Sequence, residues 1–263
     1  CSKRKSDSET YVVNEEIDRE VQARYNKELV DHIVRLNHLG HKNGTPIFPR
    51  NGFLLGVIRH RGFLPNETID PDLACFEEDI PKMLESDWGE YEIDKYYFED
   101  TRTPWDHDFN NLRHPITNRK YKYYMVRFKH ISSGWISPEV DCFYKYKPGY
   151  YYYPWWSVKG YNSEQNFKTY STHYTNGGGG AKILLGNEET PLKHLYEKDE
   201  YRGKVGFLYK DKYFNSYKTV PFYDKEMYVP IGATDMLKSA YGENVLNVMI
   251  DKKGDIIILR NHR

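Results

Sequence analysis

Asp70-Pro71-Asp72 sets two carboxylates two residues apart on a segment that reads as extended, where alternate side chains point the same way. Such a pair suits one or two hard divalent cations, which usually share their remaining positions with substrate phosphates. A third acid, Asp141, stands inside the otherwise apolar run Val140-Asp141-Cys142-Phe143-Tyr144. A lone carboxylate there is costly unless it is paired, hydrogen-bonded or on a metal. Upstream, Gly52-Phe53-Leu54-Leu55-Gly56 is a small apolar turn, and Phe53 to Ile58 reads as a short helix starting near Gly52. Its free N–H groups could face phosphate, or the two glycines simply permit a tight helix contact. Arg59-His60-Arg61 follows; each arginine could reach a phosphate or be an ordinary surface charge. Gly52, Leu55, Gly56, Arg59, His60 and Arg61 form the candidate substrate-binding stretch, and the chemistry they imply with the acids is phosphoryl or nucleotidyl handling.

The elements that must position these residues can be sketched from periodicity. After a charged lead expected to be mobile, Asn14-Glu15-Glu16 opens a helix. Its apolar face is Ile17, Val21, Tyr25, Leu29, Ile33 and Leu36, and Gly40 closes it. His32, His38 and His41 read as surface histidines, because no carboxylate or cysteine partner stands at ligand spacing. Cys75 to Ser86 matches an amphipathic helix with Phe76, Ile80, Met83 and Leu84 inward and Glu77, Glu78 and Asp79 wet. Lys120 to His130 alternates as a strand, Ser132-Ser133-Gly134 turns it, and Trp135 to Tyr146 returns. Trp105-Asp106-His107-Asp108 reads as a polar loop. Gly177 to Gly180 reads as a flexible loop that lacks the ending of a phosphate loop. Lys252 to Asp255 turns into a final strand, Ile256 to Leu259.

Composition bounds the function. In 263 residues, Lys plus Arg and Asp plus Glu both number 38, so no basic excess marks a nucleic-acid footprint. The chain is long enough for a real core. The 25 Tyr, 12 Phe and 5 Trp are the departure from average. In Tyr150 to Trp156 they serve either as a strand packed on a sheet or as a glycan-stacking wall through Tyr152, Trp155 and Trp156. Cys1, Cys75 and Cys142 are too few and too scattered for a disulfide scaffold or a zinc site, although a Cys75–Cys142 bridge stays open in a secreted protein. No apolar run approaches the ~20 residues that span a bilayer, so a membrane anchor, if there is one, lies outside this chain. Asn43-Gly44-Thr45 and Asn66-Glu67-Thr68 are glycosylation sequons that fit a secretory route.

The order of these motifs resembles the LicD and fukutin family: Gly52 to Gly56, Arg59 to Pro65, Asp70 to Asp72, then Val140 to Phe143. Val220-Pro221-Phe222, Val229 to Gly232 and Asp235 to Gly242 resemble the family's closing element. The resemblance covers roughly 45–145 and 205–245 within a single domain read over 15–263. It implies an α+β fold, a nucleotidyltransferase-like mixed sheet flanked by helices, with family-specific insertions. It also implies a Mg²⁺ or Mn²⁺ ion held by Asp70, Asp72 and Asp141, with Asp141 as third ligand or as base to the acceptor hydroxyl. Arg59 would hold donor phosphate, and the Gly52 turn would approach it by backbone. The reaction implied moves phosphocholine, ribitol phosphate or a sugar phosphate from a nucleotide-diphosphate donor, CDP-linked first, onto a glycan or glycoprotein. The setting would be the Golgi or ER lumen or outside the cell. Two departures are visible: Pro65 and Asp70 are five apart where the family has four, and Pro71 interrupts the pair. An inactive glycan-binding relative is the alternative, and a cytosolic nucleotidyltransferase using a nucleoside triphosphate is the third.

Overall fold

A computed structural model describes residues 14–65, 68–94, 123, 125–154, 183–185, 188–190, 206–250 and 256–258. The N-terminal lead, Asn66, the cluster Trp105 to Asp108, Trp155, Trp156 and Gly177 to Gly180 lie outside these residues. The architecture is mixed α+β, with a curled mixed sheet flanked by helices.

The single N-terminal helix expected from periodicity is two helices, α1 (Asn14–Ala23) and α2 (Lys27–Lys42). Asn26 makes the break. It adopts extended backbone and its side-chain oxygen accepts from the Leu29 N–H at 3.2 Å, satisfying one of the free donors of a new helix start. On α2, Asn37 is fully buried, and it bonds on both sides. Its Nδ2 donates to the carbonyls of Ile47 and Tyr228 at 2.7 and 2.9 Å, and its Oδ1 accepts from the Tyr228 N–H at 2.8 Å. One side chain thus fixes the helix to two chain segments.

The main sheet runs β1 (Phe48–Pro49), β2 (Leu73–Phe76), β6 (Val140–Lys147), β7 (Tyr150–Pro154) and β10 (Gly206–Lys210), with β4 (Met125–Val126) also on β6. The central pair, β2 and β6, is parallel, with Ala74 opposite Asp141 and Cys75 opposite Cys142. All four residues of β2 are buried, as are Val140 to Tyr144, the continuous burial typical of parallel strands covered on both faces. Cys75 and Phe76 therefore belong to a strand and not to the helix expected there. A four-residue apolar run cannot announce which it is. The helix proper, α4, is Ile80–Glu85 after a 3₁₀ turn, and it leaves Leu84 exposed. Smaller hairpins surround the sheet. β3 (Tyr91–Ile93) pairs β5 (Phe128–His130), β8 (Ile183–Leu185) pairs β9 (Glu188–Thr190), β11 (Tyr217–Phe222) pairs β12 (Lys225–Pro230), and β13 (Val248–Ile250) pairs β14 (Ile256–Ile258). The returning strand expected from Trp135 begins only at Val140, preceded by a lone bridge between Ile136 and Lys129.

Two helices carry the site's surroundings, α3 (Asn51–His60) and α5 (Ala233–Tyr241). α3 ends where Arg61 turns left-handed, φ 56°, and the chain doubles back on the helix. Phe53 and Phe63 then stack at 5.7 Å between centroids and both meet Phe222 edge-on. The fold-back needs Gly56, because a Cβ there would lie 2.6 Å from the Gly62 carbonyl oxygen. Cys75 and Cys142 are buried free thiols.

Gly56→Ala should destabilise the protein by roughly 1–3 kcal/mol, since backbone must move to admit the methyl; urea unfolding measures it. A second expectation concerns His41, whose ring packs on Tyr217 and Tyr228 and whose Nε2 is buried without a hydrogen-bond partner. Burial, then neighbouring His38, lowers it to about 4. Between that value and the unfolded ~6.5 the unfolded chain binds a proton that the folded chain does not, so stability present above ~6.5 is lost as pH falls toward 4. The melting temperature should drop from pH 7 to pH 5, and drop less in His41→Phe.

Candidate functional site

The sequence around Pro71 forms a tighter feature than an extended strand. The Asp72 N–H donates to the Asp70 carbonyl at 2.9 Å, a three-residue turn centred on Pro71. The fixed φ of proline suits that turn, and strand β2 begins only at Leu73. The alternation expected to align the two acids is therefore absent. Asp70 and Asp72 nevertheless line one cavity, of about 250 Å³, together with Gly52, Leu55 and Tyr241.

That cavity opens at the N-terminus of α3. Arg50 occupies the cap position and makes no side-chain capping bond, which leaves the donors of the first turn to other partners. Asn51 takes positive φ, 48°. Its side chain is close enough to Asp72 to favour the charged carboxylate.

Asp141 is reached through the sheet. The parallel register puts it beside Ala74, one turn-length from Asp72, with 4 % of its surface exposed. The guanidinium of Arg50 joins the two acids: its Nη2 pairs with Asp141 Oδ2 and, at 3.0 Å, with Asp72 Oδ1. Arg50 Nε donates to the Leu73 carbonyl at 3.3 Å, and its guanidinium carbon lies 4.5 Å from the ring centroid of Tyr153. The Tyr153 hydroxyl donates to Asp141 Oδ2 at 3.0 Å. The lone acid of the apolar strand is thus paired and hydrogen-bonded, two of the three states that make a buried carboxylate tolerable.

Burial would lower the Arg50 guanidinium, but Asp141, Tyr153 and Asp72 outweigh it and hold the group raised and charged. Burial also pushes Asp72 up to about 6; Arg50 opposes the rise and the charges of Asp70 and Asp141 reinforce it. Tyr153 is held well above its ordinary value, by burial first, so its hydroxyl stays a donor. Asp72 and Asp141 share one guanidinium while Asp70 stands near Asp72, and the excess charge at the cavity wall is negative.

The basic cluster lies elsewhere. Arg59, His60 and Arg61 sit at the opposite end of α3 and do not line the cavity. Arg59 Nη1 donates to the carbonyls of Val245 and Val248 at 2.9 and 3.0 Å, and its Nε meets His60 Nε2 at 2.9 Å. These bonds pin the helix end to the C-terminal segment. Arg61 is exposed, and its carbonyl accepts from the Tyr223 N–H at 2.7 Å. Gly56 is buried in the fold-back. Tyr152 lies on β7 opposite Tyr144 and Leu208, while its neighbours Tyr151 and Tyr153 are buried among aromatic rings. Asn43 caps α2, and its Nδ2 donates to the Asp87 carbonyl at 2.9 Å.

The carboxylates that line the cavity and could face a hard cation there are Asp70 and Asp72. Among the described residues no group of three His, Cys, Asp or Glu side chains is arranged to hold a metal ion, because Arg50 stands between Asp72 and Asp141. Arg50 and Tyr153 are the functional candidates that sequence reasoning missed. The available signal was the need of Asp141 for a partner, met by the one cation embedded between the apolar Ile47-Phe48-Pro49 and the Gly52 turn. No model of a known protein family matches the chain, and no curated protein matches it.

Tyr153→Phe removes a donor to a buried charge and should lower stability by about 1.5–3 kcal/mol. The urea midpoint reads this, and an unchanged midpoint would show that the hydroxyl bond contributes nothing.

Proposed function

We propose that this chain is a metal-dependent transferase of nucleotidyltransferase-like fold, moving a phosphorylated group from a nucleotide-diphosphate donor onto a glycan acceptor, as its resemblance to the LicD and fukutin family implies. One observation carries the reading: Asp70 and Asp72 line a single cavity at the N-terminus of α3, with Asp141 held just behind them. The residues fit a divalent cation at two carboxylates. Such ions are commonly held by one or two carboxylates plus substrate phosphates. The burial and crowding that raise Asp72 are what a cation there would relieve. Mg²⁺ or Mn²⁺ bound by Asp70 and Asp72 would neutralise the donor diphosphate.

The chain's own residues do the rest. The first N–H groups of α3, at Asn51 and Gly52, would receive phosphate oxygens, which a helix start favours. Gly52 admits the phosphate close to the backbone. Leu55 and Tyr241 wall the cavity, and Arg50 holds Asp141 and Asp72 in fixed positions. Positioning and charge stabilisation supply most of the rate in phosphoryl transfer. The glycan acceptor and the sequon at Asn43 point to a lumenal or extracellular setting.

A second reading, an inactive glycan-binding relative, is favoured by the same guanidinium, which already occupies Asp141. Thermal shift with CDP-choline, CDP-ribitol, GDP-mannose and nucleoside triphosphates separates the two. A donor at a hundredfold excess over its Kd adds about 2.7 kcal/mol, roughly 5 °C or more for a domain of this size. The expected result is a shift with a CDP-linked donor that requires Mn²⁺ and disappears in Asp70→Asn and Asp72→Asn. A shift with a glycan alone, indifferent to Mn²⁺ and to both substitutions, would establish the second reading instead.

A further inference from the structure

We propose that Arg50 is a built-in counter-cation that takes the place of a second metal ion, so that Asp141 is a positioning residue and not a metal ligand. The inference rests on the metal-dependent reading above and concerns how many ions that site accepts.

Nη2 of Arg50 contacts both Asp72 and Asp141, Nε is bound to the Leu73 carbonyl, and the guanidinium face lies over Tyr153. The backbone repeats the arrangement, since the Arg50 N–H donates to the Asp72 carbonyl at 3.0 Å. Arg50 is only 7 % exposed, so it has no solvent position to withdraw to without unpacking β1. Asp141 Oδ2 in turn receives both the guanidinium and the Tyr153 hydroxyl. A carboxylate oxygen so occupied has little lone-pair capacity left for an ion. A planar, permanently charged fork suits two carboxylates on neighbouring segments. Asp72 is different: it keeps partial exposure on its cavity side, where Asp70 also stands. The site therefore divides into an inner pair neutralised by protein and an outer pair open to one cation.

Removing the guanidinium should open the inner pair. The test counts Mn²⁺ bound per full-length chain, from the loss of the electron paramagnetic resonance signal of free Mn²⁺, with no substrate present. Arg50→Met should bind one ion more than the wild type. Arg50→Gln, which keeps hydrogen-bond donors beside both acids and spares the fold if the methionine does not, should gain the same ion. Arg50→Met combined with Asp141→Asn keeps the net charge of the wild type. It should return to the wild-type number of ions, with affinity within about threefold, because replacing both partners of a buried pair is often tolerated. The proposal is overturned if neither single variant gains an ion, or if the double variant loses the ion that the wild type binds. A wild type that binds no Mn²⁺ overturns the metal-dependent reading, and the role of Arg50 is then read from the gain alone.

Discussion

One buried guanidinium organises this molecule. Bringing Arg50, Asp72 and Asp141 out of water costs several kcal/mol per ion, and the attraction among them repays this only with good geometry and further hydrogen bonds. Those bonds come from five segments: the end of β1, the Pro71 turn, β2, β6 and β7. Each is held to a narrow position by the requirement that no charge be left alone. The two-residue β1 makes sense in that light, since its task is to deliver Arg50 opposite Asp72 and then start a helix at once.

Around this ionic centre many tyrosines and phenylalanines of the described residues act as structure. Phe48, Phe76, Phe143 and Phe214 meet one another at 5.2 to 6.4 Å between centroids, and Tyr209 stacks on Phe143 at 5.5 Å. Several tyrosines pack a ring while the hydroxyl satisfies a distant group: Tyr144 donates to the Tyr123 carbonyl, Tyr151 to Glu78 and Tyr153 to Asp141. Here the amphipathic ring lets polar contacts be completed inside a dry interior.

The sequence revealed what periodicity can reveal. α2 and the start of α3 near Gly52 follow from apolar spacing and turn residues. The break at Asn26 was present as a capping signal, but the continuous apolar stripe on either side of it concealed the stop. Asp141 announced that it needed a partner. The partner lies 91 positions away, and no local pattern links Arg50 to it; only the parallel register of β2 and β6 does. Arg59 misled for the opposite reason: a basic cluster after a glycine turn suggests phosphate, whereas its bonds go to the carbonyls of Val245 and Val248. Asp70 and Asp72 reach a common cavity by a proline turn, a geometry that strand alternation does not describe.

The parallel union of β2 and β6 also bears on how the molecule comes together in time. Leu73 and Val140 meet only after the long intervening chain has looped back, and such closure pays its entropy before any contact rewards it. The local helices and hairpins can form early, whereas the acids and their arginine meet only on docking of the central strands. During synthesis the carboxylates of the Pro71 turn would remain solvated until β6 had left the ribosome. The ionic centre is accordingly a late-assembling seal on a nascent chain.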